Sequence, residues 1–164
     1  MEEQIMNMPA VALRGLTILP GMIAHFDISR ERSLRAVEEA MEQDQKIYLV
    51  TQRNVDSEDP TQEDLYQMGI VADIKQVVRL QNDVVRILVD GISRAALLGF
   101  TGNEKYLEAE ICYCDSNADS LPEDLREAML LGVREAFHRY AAVVGKISKE
   151  LSRQIGRASC RERV

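Results

Sequence analysis

Apolar and polar positions alternate over most of residues 8–115, which predicts a part of the chain rich in β-strands. Pro20 and Gly21 predict a chain reversal before the apolar run that begins at Ile23. Gly91 interrupts two strand-like runs, which predicts a bulge or a bend where a side chain would be strained if φ is positive. The expected strands cover residues 23–28, 46–51, 70–80, 84–90, 92–98 and 107–114.

One helix is expected among these strands. Ser29 is predicted to cap its first turn, and the helical pattern extends to about Asp44. Apolar residues recur on one face at helical spacing and are expected to pack against the strands. These residues are Leu34, Val37, Ala40 and Met41.

Residues 120–155 have the pattern of a second, helical part that is incomplete in this chain. Ser120 and Glu123 fit a capping box, with Pro122 in the first turn, and Gly145 interrupts the helix. Its apolar residues form two stripes, which predicts partners on more than one side. The second stripe contains Leu130, Val133, Phe137 and Val144, and the first three are therefore expected to stay partly exposed as a contact surface. A further helix is expected to begin at Ser148, and residues 156–164 are interpreted as a non-native, dispensable tail.

The charge balance restricts the partners that we expect. The chain has 20 basic and 27 acidic residues and a formal net charge of -7, and an acidic surface disfavours nucleic acid. No apolar run approaches the roughly 20 residues of a membrane span, so no membrane contact is expected. The acidic N-terminus is unlike a signal peptide, and three cysteines do not suggest a disulfide framework. These features favour the cytoplasm.

No motif in the sequence indicates catalysis, a cofactor or a metal site. Cys112 and Cys114 form a C-x-C pair, but the two histidines, His25 and His138, are remote in sequence, so ordinary strand cysteines are favoured over a metal or redox pair. Residues 144–148 superficially echo a phosphate loop but lack its first glycine and the hydroxyl after Lys146. We therefore expect no cofactor, no ATP hydrolysis and no peptidase activity from this chain.

Two groups of residues are candidates for binding a partner. Met22, Ile23 and Phe26 follow the Pro-Gly reversal and offer apolar surface, although residues of this type more often fill a core. Charged side chains on the first helix form the second group, for which a solvated helix face is the alternative. They are Glu31, Arg32 and Arg35.

Several segments, in the same order along the chain, resemble a known family. Residues 12–22, Ala-Leu-Arg-Gly-Leu-Thr-Ile-Leu-Pro-Gly-Met, resemble the opening motif of the N-terminal domains of Lon proteases. Residues 29–34, 46–52 and 87–94 are similar to that family's first helix, its next strand and one of its paired strands. The chain departs from the family at Ala12 and His25, where proline is frequent.

The resemblance implies an α+β fold, a PUA-like curled β-sheet or pseudo-barrel of about six strands with one packed helix, followed by an incomplete C-terminal helical subdomain. It also implies a domain that recognises or tethers unfolded and damaged proteins and supports assembly of a homo-hexamer. The chain would then be the truncated N-terminal part of an ATP-dependent Ser-Lys endopeptidase, without its ATPase and protease domains. The alternatives are a stand-alone adaptor of the same fold and a PUA-like RNA-binding module, which the acidic balance disfavours.

Overall fold

A computed structural model of the protein describes residues 5–114 and 121–145. The chain divides into two compact units, Met1–Asp115 and Ser116–Val164, and each is described by itself. Ser120, Ser148 and the tail at 156–164 lie outside the described residues. The elements are β1 (Ile5–Leu13), β2 (Ile23–Ile28), α1 (Glu31–Glu42), β3 (Lys46–Thr51), β4 (Met68–Arg79), β5 (Val85–Phe100), β6 (Glu108–Tyr113) and α2 (Glu123–Val144).

Five of the strands close into a ring. The strand order is β2-β5-β4-β3-β1-β6, and a further pairing joins β5 to β6. Closure is possible because β5 has 16 residues, so its first half pairs with β2 and its second half with β6. The pairing of β1 with β3 is parallel, whereas each of the other pairings in this sheet is antiparallel. The expected α+β pseudo-barrel with one packed helix is confirmed, and β2 lies outside the ring.

A bulge in β5 lets this one strand contribute to two cores. Ala72 on β4 is opposite Gly91 and Val71 is opposite Ser93, so Ile92 is an extra residue in the ladder. Successive side chains of a strand point to opposite faces of the sheet. One extra residue therefore moves each later side chain of the strand to the opposite face. Val89 therefore packs outside the ring, whereas Leu97 packs inside it.

The two cores lie on opposite sides of the ring wall. The inner core takes side chains from all five ring strands, including Met8, Ala12, Tyr48, Val50, Val71, Ala95, Leu97, Ala109 and Ile111. The outer core lies between the wall, β2 and α1, and includes Val11, Leu13, Ile28, Val37, Ile47, Leu49, Ile74, Ile87 and Val89. Because β1 and β3 face a core on both sides, their apolar residues are nearly continuous, as in parallel sheets that are covered on both faces.

Helix α1 packs on β1 and β3 through small side chains. Its buried residues are Ser33, Ala36, Val37 and Ala40. Leu34 is half-buried and Met41 is 40% exposed, so the prediction of a buried Met41 is wrong. The small side chains of Ala36 and Ala40 let the helix lie close to the strands, so these residues are at the centre of its buried face. Met41 lies at the edge of that face.

The predicted ends of α1 also need correction. The N-cap is Arg30 rather than Ser29, no side chain caps the first turn, and the helix ends at Glu42 rather than near Asp44. The amides of the first turn therefore lack the acceptor that a capping hydroxyl would have supplied.

Helix α2 begins at Glu123, one residue after the N-cap Pro122, so Pro122 precedes the first turn instead of lying in it. The helix ends as predicted at Gly145, whose φ of 68° is a left-handed conformation that glycine adopts without strain. No residue of α2 is buried.

Candidate functional site

Four large apolar side chains are exposed where the turn between β1 and β2 meets the β5 bulge. They are Leu19, Met22, Ile23 and Ile92, and Ile23 is the most exposed, at 67%. We name this set the turn–bulge surface. Apolar side chains grouped on a surface are a common feature of sites that bind other proteins.

Backbone hydrogen bonds hold the two halves of this surface together. The Gly21 N–H donates to the Gly91 oxygen at 2.7 Å, and the Gly91 N–H donates to the Met22 oxygen at 3.0 Å. Within the turn, the Met22 N–H donates to the Leu19 oxygen at 3.1 Å, and Gly21 has a φ of 75°. A turn with a positive φ at this position favours glycine, so the Pro-Gly sequence fits the observed geometry.

Gly91 allows the turn to lie directly on β5. A Cβ at this position would be 2.5 Å from the Leu19 oxygen and 2.8 Å from Ile70 Cδ1. Its φ is not positive, so the condition under which strain was predicted is not met, and the requirement for glycine comes from close packing. The exposed side chains are thus carried on a turn that is packed and hydrogen-bonded to the sheet.

The structure divides the first group of candidates. Met22 and Ile23 belong to the turn–bulge surface, whereas Phe26 is half-buried and packs against the outer core. Sequence reasoning missed Leu19 and Ile92. Leu19 stands directly before Pro-Gly and Ile92 directly after the strand-interrupting Gly91, so each has a local signal. Their proximity depends on the pairing of distant segments, which a local pattern does not specify.

The charged candidates on α1 make contacts within the domain. Glu31 and Arg35 form an ion pair one helical turn apart. Arg32 bonds to Asp59 Oδ1 at 3.2 Å and to the Asn103 oxygen at 3.3 Å, which joins α1 to two loops. These side chains therefore have a structural role besides any contact with a partner.

The candidates on α2 lie in the second unit. Val133 is 56% exposed, and Leu130 and Phe137 are half-buried. The Phe137 ring is 6.3 Å from the Tyr140 ring, centroid to centroid. Contact of these residues with a partner stays a prediction.

The described residues offer little reactive chemistry. Within residues 5–114 and 121–145, no three His, Cys, Asp or Glu side chains are grouped so as to hold a metal ion. The clear pKa shifts have structural causes: hydrogen bonds from Arg86 lower the pKa of Asp27, and burial raises the pKa of Tyr48 and Tyr106. Neither described helix is apolar and long enough to cross a bilayer.

The chain resembles known proteins over most of its length. Residues 7–160 match the family described as the ATP-dependent protease La (LON) substrate-binding domain. The chain belongs to this family.

Relatives of the Lon domain occur in several bacteria. It is 37% identical over 155 residues to the Lon protease of Lachnoclostridium phytofermentans and 32% identical over 149 residues to Lon protease 1 of Bacillus subtilis. These alignments cover 94% and 91% of this chain. They cover 19% of each relative, so the chain spans about a fifth of their length.

Solved structures share the fold of the Lon domain. The N-terminal domain of a Mycobacterium avium complex Lon protease superposes with a TM-score of 0.69, covering 93% of this chain and 75% of that one at 16% identity. A Lon N-terminal domain protein from Xanthomonas campestris superposes with a TM-score of 0.55, covering 76% and 71% of the two chains at 16% identity. At this identity the likeness concerns the fold alone.

Proposed function

We propose that this Lon domain binds exposed apolar segments of unfolded or damaged proteins through the turn–bulge surface. The observation that carries the proposal is the exposure of Leu19, Met22, Ile23 and Ile92 on two segments whose backbones are hydrogen-bonded to each other. An unfolded protein differs from its folded form chiefly in the apolar side chains that it leaves in water, so an apolar surface distinguishes the two. A packed support also limits the conformational entropy lost on binding.

In the intact protein, this domain would deliver bound segments to an ATP-dependent Ser-Lys endopeptidase in cytoplasmic protein quality control. The family description and the Lon proteases among the relatives support this role. We further propose that the domain supports a homo-hexamer, with the charged residues of α1 and the exposed stripe of α2 as surfaces toward other subunits or other Lon domains.

Binding of fluorescein-labelled casein, measured by fluorescence anisotropy, tests the proposal. Replacing both Ile23 and Ile92 with serine removes two exposed isoleucines without touching either core. We expect the affinity to fall by about tenfold, because loss of a well-placed apolar contact costs about 1 kcal/mol or more.

The matched control is the double substitution Val78→Ser and Leu80→Ser at the far end of β4. These side chains are also exposed, at 40% and 41%, and lie outside the turn–bulge surface. The control variant should bind casein like the parent. Circular dichroism must show that each variant remains folded. An equal loss of casein affinity in both variants, or no loss in the Ile23→Ser, Ile92→Ser variant, would refute the proposed surface.

A further inference from the structure

The outer edge of β2 has no strand beside it in the described part of the sheet. β2 is the last strand in the order and pairs with β5. The bond from the Gly91 N–H to the Met22 oxygen marks the 22–91 pair as hydrogen-bonded. Because antiparallel pairs alternate, Ile23, His25 and Asp27 direct their backbone N–H and C=O groups away from β5. Such an edge is a template for another extended chain.

A cavity of about 600 Å³ lies beside the second half of β2. Residues 11–14 at the end of β1, residues 26–30 and Ser33 on α1 line it, together with Leu16 and Glu58. We call it the β2 cavity. An extended chain that followed the β2 edge beyond the turn–bulge surface would pass this cavity.

Two arginines in the β2 cavity have neutral hydrogen-bond partners. Arg14 Nη2 and Arg30 Nη2 both donate to the Ser57 oxygen, at 3.2 and 3.1 Å. Arg30 also donates to Gln52 Oε1 at 2.9 Å. Neither guanidinium forms an ion pair with a carboxylate of the described residues. Partial burial, and then the charge of Arg14, lower the pKa of Arg30, whereas the charges of Asp59 and Glu58 oppose this lowering.

Further donors surround the same cavity. α1 begins there without a capping side chain, and its first amides carry the positive end of the helix dipole. Ser33 is 4% exposed and also lines the cavity. Two carboxylates also line it: Asp27 is held by Arg86, and Glu58 remains as the opposing charge. The two guanidiniums and the helix amides thus face Glu58, while the nearby Asp59, which also attracts Arg30, is paired with Arg32.

We propose that an extended polypeptide segment binds as an added strand on β2 and that a carboxylate of this segment is held by Arg14 and Arg30 in the β2 cavity. The proposal rests on the proposed function, since it specifies which segments of an unfolded protein are bound. Ile23 of the turn–bulge surface and Ile28 beside the cavity are five residues apart on β2, roughly 17 Å of extended chain. The preferred segment therefore has apolar side chains at one end and an acidic side chain or a C-terminal carboxylate about five residues away.

A labelled peptide of about ten residues with this spacing tests the carboxylate contact. Its aspartate form should bind about tenfold more tightly than the form with asparagine at the same position, because charge-assisted hydrogen bonds are the stronger ones. In Arg14→Gln, the two forms should bind with similar affinity. Arg14 is exposed and makes one described hydrogen bond, so its loss should leave the fold intact. Arg79→Gln, which removes a cation at the end of β4 that pairs with Glu38, should preserve the difference between the two peptides.

N-methylation of alternate peptide amides tests the added strand. Methyl groups on the amides that face β2 should abolish binding, whereas methyl groups on the intervening amides should be tolerated. Equal effects of the two methylation patterns, or equal binding of the aspartate and asparagine peptides to the parent, would overturn this inference. The proposed function fails separately, if Ile23→Ser with Ile92→Ser leaves casein binding unchanged.

Discussion

The Leu19 carbonyl oxygen lies so close to Gly91 that a Cβ on Gly91 would be 2.5 Å from it. The turn of one segment therefore rests on the bulge of another with no room for a side chain. We predict that Gly91→Ala lowers the free energy of unfolding by about 1–3 kcal/mol, the usual cost of overpacking, in urea denaturation.

Gly99 supplies the control for this prediction because it lies on the same strand. A Cβ at Gly99 has no heavy-atom neighbour closer than 3.9 Å, and its φ is not positive. Gly99→Ala should therefore unfold at the same urea concentration as the parent or above it. A Gly91→Ala variant as stable as Gly99→Ala would show that the turn moves away freely.

Tyr48 joins β3 to β5 through the inner core. Its hydroxyl donates to the Ala95 oxygen at 3.1 Å, and its side chain is fully buried, which raises its pKa above the usual range. Tyr48→Phe should destabilise the domain by about 1 kcal/mol, because the buried acceptor loses this hydrogen bond. Tyr66→Phe, at a side chain that is 50% exposed, should change the stability by less than about 0.5 kcal/mol. Equal unfolding midpoints for the two variants would contradict this.

Asp27 and Arg86 clamp β2 to β5 with two hydrogen bonds, from Nε to Oδ1 at 2.7 Å and from Nη2 to Oδ2 at 2.9 Å. These bonds, and then the charge of Arg86, lower the pKa of Asp27, with partial desolvation opposing them. We predict that Arg86→Met raises the pKa of Asp27 in an NMR titration, whereas Arg79→Met leaves it unchanged.

The sign of the pH effect follows from this lowered pKa. The carboxylate is more acidic in the folded chain than in the unfolded one, so its contribution to stability is present above the unfolded pKa and declines as the pH falls through the folded pKa. The difference in stability between the parent and Arg86→Met should therefore shrink on acidification through that range. If the difference in stability stays constant over this pH range, the Asp27–Arg86 pair is not its cause.

The apolar stripe of α2 should cause weak self-association at high protein concentration. Leu130 and Phe137 are half-buried and Val133 is exposed. Replacing Leu130 and Phe137 with glutamine should abolish concentration dependence in sedimentation velocity, while the strands stay folded by circular dichroism. Val143→Gln, at an 87% exposed side chain on another face, should retain the association. If the double variant is instead unfolded throughout, Leu130 and Phe137 are core residues and the prediction is wrong.

Local patterns predicted most of the elements, but β1 was not among the expected strands, and the runs 84–90 and 92–98, expected as two strands, form the single strand β5. Alternation indicated the strands, and β-branched runs on either side of Gln81, Asn82 and Asp83 indicated the hairpin of β4 and β5. Asn82 and Asp83 have positive φ values of 60° and 56°. Asparagine and aspartate tolerate this left-handed conformation in turns. The ordered motifs also pointed to the Lon family, because each is a continuous run of residues.

The sequence by itself thus determined the strand-forming segments after the Pro-Gly turn, the helix among them, the turn itself and the family. The tertiary structure alone decided the closure of the ring, the two-sided burial of β1 and β3, and the grouping of Leu19 with Ile92 and of Arg14 with Arg30. The physical reason is that propensity and periodicity act between near neighbours, whereas register is set by pairing across the chain. One extra residue at the β5 bulge decided which apolar side chains entered a core and which one, Ile92, remained in solvent.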